Sequence, residues 1–138
     1  MPTTQEVLNT QVVQNAYAAF ARGDVQDILD SLTDDIDWKP VYGAGPHVPM
    51  AGHRSGKDAV REFFKLVAEH MHFYTFEPRE FIAQGEKVVT LGHYVGKSGT
   101  TGKPFASDFA MVFTLHHGKV VRFQEFTDSA QLNAAYQK

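Results

Sequence analysis

The stretch FASDFAMVFTLHHGKVVRFQEFT, residues 105–127, decides the fold. Phe105, Phe109, Met111, Phe113 and Leu115 alternate with smaller or polar residues. That period of two marks a strand with one buried face. His117-Gly118 is a tight turn, and residues 120–127 return as a second strand. Upstream, residues 72–82 and 87–95 show the same alternation around a Gly85-Glu86 turn, and GKSGTTGK, residues 96–103, is a glycine-rich hairpin loop. The C-terminal half therefore reads as an antiparallel meander, closed by a helical turn over 129–136 that Asp128 caps.

The N-terminal half has helical spacing instead. Over residues 3–22, Val7, Leu8, Val12, Ala16, Ala19 and Phe20 fall near one face, with Val13 and Tyr17 beside it. Gly23 stops this helix and Asp24 caps the next, which buries Val25, Ile28, Leu29 and Leu32. Ile36, Trp38 and Val41 belong to a short strand ended by Pro40 and Gly43. Residues 43–56 form a loop with two prolines and four glycines, long enough to have a function of its own. Ser55 then caps a helix over 57–70, with Asp58 three residues on, and that helix buries Val60, Phe63, Phe64 and Val67. Helical segments followed by a meander predict an α+β fold.

Composition narrows the function. The chain has 138 residues, a formal charge of -3 and no cysteine. Its length predicts one domain over residues 1–138. Thiolate catalysis and Cys-ligated zinc are excluded. A pI near 6.1 carries no footprint for nucleic acid. No signal peptide or apolar run of membrane length is present, so a cytoplasmic protein off the membrane is expected. Eleven Phe, five Tyr and one Trp are rich for this size and fill a core, line a cavity, or both. AGHRSGKD, residues 51–58, is no phosphate loop, because Ala51 stands where Gly is needed and Asp58 where Ser or Thr would bind the metal. The histidines show no ligand spacing, so no metal is expected.

Several pieces together resemble the nuclear transport factor 2-like superfamily, with its SnoaL-like and ketosteroid-isomerase-like members. They are Tyr17-Ala18-Ala19-Phe20 with Gly23-Asp24, Trp38 and the loop proline, Ala51-Gly52 through Gly56-Lys57 to Phe63-Phe64, Thr101-Gly102-Lys103, Gly118-Lys119-Val120 and Phe126-Thr127-Asp128. The resemblance implies a cone: a strongly bent antiparallel sheet packed on three N-terminal helical segments, with an apolar pocket at its open end. Fold does not fix chemistry. The carboxylate base of ketosteroid isomerases falls at Lys39, and their helix tyrosine is one residue out of register with Tyr17. Their second aspartate falls at Ala110 or Met111. The His–Asp pair of SnoaL-type cyclases maps to Met111 and Glu125. Limonene epoxide hydrolases put an Asp at Glu125, but their other two groups fall near Gly92 and Tyr94.

Strand parity then predicts the pocket wall. Ser107, Phe109, Met111 and Phe113 face inward, as do Val88, Thr90, Gly92 and Tyr94, which leaves His93 and Asp108 outside. On the last strand Val121, Phe123, Glu125 and Thr127 are placed inward. Glu125 is the candidate catalytic acid, its pKa raised by apolar walls. The competing assignment pairs it with Arg122 or Lys119, or turns it to solvent. Expected substrate contacts are Tyr17, Trp38, Tyr42 and Phe64, together with Tyr94, Phe109, Met111, Phe113 and Phe123. His53, on the loop expected at the mouth, is placed to orient a ligand or pass a proton. The expected function is cofactor-independent acid–base chemistry on a hydrophobic oxygenated small molecule: an isomerisation, cyclisation, dehydration or hydrolysis. The alternative is a non-catalytic binding or accessory protein. An apolar outer sheet face with Ala106, Ala110, Val112 and Phe126 predicts a homodimer.

Overall fold

A computed structural model describes residues 1–138. Helix α1 (Thr4–Ala21) begins at Thr3, whose hydroxyl accepts from the Glu6 N–H while the Glu6 carboxylate accepts from the Thr3 N–H. That carboxylate also accepts from the Gly85 N–H at 2.7 Å, which ties the helix start to a distant turn. The buried stripe of α1 is narrower than its spacing predicts. Asn9, Val13 and Ala19 are buried, but Val7 and Leu8, in the first turns, are more than half exposed. Gly23, at φ 73, ends the helix, and Asp24 caps α2 (Val25–Asp30).

Strand β1 (Leu32–Lys39) starts four residues before Ile36 and pairs with a two-residue strand, β2 (Arg54–Ser55). Helix α3 (Lys57–His70) has the predicted bounds and buries Val60, Phe63, Phe64 and Val67. Its cap is not Ser55, which is held in β2. Gly56, at φ 86, makes the entry without a side-chain bond. The meander follows as β3 (Met71–Gln84), β4 (Lys87–Ser98), β5 (Pro104–His116) and β6 (Lys119–Thr127). Helix α4 (Ser129–Tyr136) is capped by Asp128, whose carboxylate accepts from the Gln131 N–H at 3.1 Å.

The fold is α+β: helices pack on one open six-stranded sheet of order β2-β1-β6-β5-β4-β3. One expectation is corrected. The sheet is not wholly antiparallel, because β1 runs parallel to β6. A parallel pair needs a long crossover, and here the whole chain from β2 through β5 supplies it.

The bend of the sheet has an identifiable cause. On β3 the inward-facing residues run Met71 and Phe73, then Phe76 and Pro78, then Phe81 and Ala83. The spacing jumps from two to three at two register shifts, Phe73/Thr75 and Pro78/Glu80. Gly96 and Gly92 of β4 stand opposite these shifts. A Cβ on Gly92 would lie 2.3 Å from the Glu77 carbonyl oxygen and 2.4 Å from the Phe109 ring. The strands therefore curl tightly where only hydrogen fits, and the aromatic rings of β5 lie over bare backbone.

Candidate functional site

The concave face of the sheet and helices α1 to α3 enclose an apolar cavity of about 80 Å³. Tyr17, Trp38, Phe64, Tyr94, Met111, Phe113 and Phe123 line it, as the sequence predicts, and so does Glu125. Trp38 of β1 stacks on Phe123 of β6 with ring centroids 3.9 Å apart. Their parallel pairing places one directly beside the other.

Three expected contacts are absent from the lining. Phe109 is buried one layer back, where it stacks on Tyr94 at 5.5 Å and on Phe76 at 5.3 Å. Tyr42 is 54% exposed and packs on Phe126 outside the sheet. His53 is also outside: its Nε2 bonds Asp37, which alternates with Trp38 and so faces away from the cavity. The connection from β1 to β2 reaches the cavity through apolar Val41 and Met50 instead. Val121 is likewise displaced. It is the extra residue of a bulge between β5 and β6, so Val120 takes the inward position.

Sequence reasoning missed the contribution of β3. Met71, Phe73 and Phe76 line the cavity, and together with Tyr17 and Phe20 they also line an open groove between α1 and the edge of β3. A single layer of side chains thus divides cavity from groove. The signal was present as aromatics spaced three apart, which simple alternation does not assign to one face.

Glu125 sits opposite Met111 and is only 5% exposed. It pairs with neither basic neighbour: Arg122 meets Asp37 at 3.6 Å, and Lys119 donates to the Asp30 carbonyl at 2.6 Å. One carboxyl oxygen, Oε1, accepts from the Val41 N–H at 3.0 Å. Val41 has φ 45, a left-handed conformation that β-branched residues rarely adopt. This strained turn after Pro40 also aims the Tyr42 N–H at the Glu125 carbonyl oxygen, at 3.0 Å. Burial raises the Glu125 pKa, opposed by the Val41 N–H and the Tyr94 hydroxyl.

The second oxygen, Oε2, lies 3.0 Å from the Tyr94 hydroxyl, which is 2.7 Å from Thr127 Oγ1. Thr127 donates to Ser107 Oγ at 2.9 Å, and Ser107 donates to the Asp108 carbonyl at 2.6 Å. The Asp128 N–H also donates to Ser107 Oγ, at 2.9 Å. A phenol has one proton, so Tyr94 serves Thr127 or Glu125 but not both. With Glu125 neutral, every hydroxyl in the row donates once, from the acid outward. Burial, and then the nearby Glu125 charge, raise the Tyr94 pKa, so the phenol stays protonated.

This arrangement predicts opposite responses. Tyr94→Phe removes a donor to the carboxylate and should raise the Glu125 pKa further. Thr127→Val removes the rival acceptor, turns the phenol proton onto Glu125 and should lower it. A side-chain carbon NMR titration of both variants checks the signs. Equal signs would show that the phenol does not choose between the two oxygens.

The profile of the SnoaL-like domain family matches residues 13–123. An NTF2-like protein from Burkholderia xenovorans LB400 is 31% identical and superposes with a TM-score of 0.86, over 98% of both chains. An NTF2-like protein of unknown function from Burkholderia pseudomallei K96243 is 27% identical, with a TM-score of 0.83 over 95% of this chain and 98% of the other. TerC, co-crystallised with polyporic acid, shares the fold at 24% identity and a TM-score of 0.79, over 95% of this chain and 99% of its own. No curated protein matches the chain.

Proposed function

The chain belongs to the SnoaL-like family, and from that premise we propose that it carries out cofactor-independent acid–base chemistry on a hydrophobic, oxygenated small molecule. One observation carries the reading: a single carboxyl group, Glu125, is set in the wall of an otherwise apolar cavity. A neutral carboxylic acid there donates a proton to a ligand oxygen and retrieves it later. That half-step serves isomerisation, dehydration, cyclisation or hydrolysis equally. Tyr17 and Tyr94 supply neutral hydroxyls beside it, and burial raises both pKa values. TerC, with the same fold, was co-crystallised with a small molecule, which supports the choice of ligand class.

The cavity of about 80 Å³ is well below the ~300 Å³ of ordinary ligand pockets. Room for a ring system requires lining side chains to move, and Phe20 and Phe76 line the groove as well as the cavity. Both are half-buried, with ring centroids 5.1 Å apart. The test is turnover of a substrate found by screening oxygenated ring compounds. Glu125→Gln should lower kcat by roughly 10²- to 10⁴-fold. Full activity in that variant rejects the acid.

A second reading has its own support. Both carboxyl oxygens already have partners within the protein, as suits a non-catalytic binding protein. It predicts ligand-induced thermal stabilisation without product, and any turnover of the bound compound rejects it.

We also propose a homodimer through the outer sheet face. Phe126 and Tyr42 are exposed there, and Val89, Leu91, Val95, Ala110 and Val112 are half-buried. The single-chain mass is 15.4 kDa, so light scattering at micromolar concentration should read about twice that. Leu91→Arg should return it to the monomer value, and a wild-type monomer refutes the proposal.

A further inference from the structure

The C-terminal helix reaches Glu125 through one turn of backbone. Helix α4 is docked firmly. Its Leu132, Ala135 and Tyr136 are buried, the Tyr136 hydroxyl donates to the His70 carbonyl at 2.5 Å, and Gln131 Oε1 accepts from the Ala106 N–H at 3.2 Å. Ser129 and Asn133 stand four residues apart and so share one face of the helix. That face meets residues 41–45. Asn133 Oδ1 accepts from the Gly45 N–H at 2.7 Å, and a Cβ on Gly43, at φ 88, would lie 3.7 Å from Ser129 Oγ. The Ala44 N–H donates to the Val41 carbonyl at 3.0 Å, which closes a tight turn over 41–44. At the other end of that turn the Val41 N–H meets Glu125 Oε1 at 3.0 Å.

A left-handed valine persists only where its surroundings hold it, because the conformation costs about 1–3 kcal/mol. Glu125 holds the turn at Val41, and Asn133 holds it at Gly45. We propose that Asn133 is a positioning residue: by fixing Gly45 it keeps the Val41 N–H on Glu125 Oε1, and so couples the C-terminal helix to the acid. This rests on the reading of Glu125 as the working acid, and it adds a residue that sets the state of that acid. The sign is fixed by the bond. The Val41 N–H favours the charged carboxylate and opposes the effect of burial, so loosening it pushes the Glu125 pKa higher still. Tyr17 of α1 and Tyr94 of β4 are the other titratable groups in the cavity wall. Burial raises both pKa values, so neither changes charge as Glu125 titrates.

Amide hydrogen exchange and a side-chain carbon titration of Glu125 test this without a substrate. In the wild type the Gly45 and Val41 amides should open together, with protection equal within about threefold. Asn133→Ala should speed exchange at Val41 by roughly fivefold or more, the worth of one hydrogen bond, and should raise the Glu125 pKa. Asn133→Asp keeps an acceptor oxygen and should hold Val41 exchange near the wild-type rate. Gln131→Ala frees α4 from β5 but not from the turn, and should change neither reading. Four results each overturn the proposal: Val41 protected far beyond Gly45 in the wild type, an unmoved Glu125 pKa in Asn133→Ala, fast Val41 exchange in Asn133→Asp, or an equal response in Gln131→Ala. The wild-type comparison decides even if Asn133→Ala does not fold. The coupling and the acid–base reading fail separately. Full turnover in Glu125→Gln rejects the acid and leaves the Asn133 response intact, whereas an unmoved pKa in Asn133→Ala rejects only the coupling.

Discussion

Glu125→Gln is expected to gain stability relative to the wild type as the pH rises from 5 to 8. The sign follows from where the proton is held. The pKa of Glu125 is raised in the folded state above its ordinary 4.5, chiefly by burial. Below that ordinary value folded and unfolded chains are both protonated, and the side chain adds no pH dependence. As the pH rises toward the folded-state pKa the unfolded chain releases the proton and the folded chain keeps it. Folding then loses about 1 kcal/mol for each pH unit until the buried group ionises too. Glutamine has no such titration. Its amide oxygen still accepts from the Val41 N–H, and its amide nitrogen donates to Tyr94, in the pattern of the neutral acid. Urea unfolding at pH 5 and pH 8 decides the matter: the variant should gain on the wild type between the two. Parallel curves would mean that Glu125 is already charged when folded. A variant that gains stability while losing turnover is the trade expected of a functional acid.

Gly92→Ala should be among the most damaging one-carbon changes available in this chain. The new methyl would lie 2.3 Å from the Glu77 carbonyl oxygen and 2.4 Å from the Phe109 ring. Backbone cannot give way as a flexible side-chain end can, so the β3–β4 pairing must open. A loss of about 3 kcal/mol or more is expected by urea unfolding. Gly45→Ala is the matched control, since its Cβ would come no closer than 3.4 Å to the Asn133 side chain, and it should change stability by less than about 0.5 kcal/mol. A mild Gly92→Ala would show that the bend tolerates a side chain.

The elements with one clean period were legible in the sequence. The bounds of α3 and its four buried residues follow from apolar spacing, and the inward faces of β4 and β5 follow from strict alternation. The placement of Glu125 on the wall rested on the same parity, and it holds because the bulge at Val121 lies before Phe123, not after it. Parity failed where a bulge intervenes. Phe73 and Phe76 share a face although alternation opposes them. The connection from β1 to β2 misled in a different way. Its polar residues, Tyr42 and His53, drew a functional reading, but Asp37 and Phe126 on the outer face hold them, and its apolar Val41 and Met50 reach inside. The left-handed Val41 has no local signal beyond the preceding proline. Its N–H is held by Glu125, far along the chain.

The parallel contact of β1 with β6 has a consequence during synthesis. Helices α1 to α3 and the first strand leave the ribosome long before β6, the strand that completes them. Trp38 must wait for Phe123, and the cavity cannot exist until β6 is made. Contacts of such long sequence separation slow folding, and they leave an apolar strand uncovered in the meantime. A chain stopped before Lys119 should therefore emerge with its aromatic lining bare, a client for chaperones and not a smaller version of the native protein.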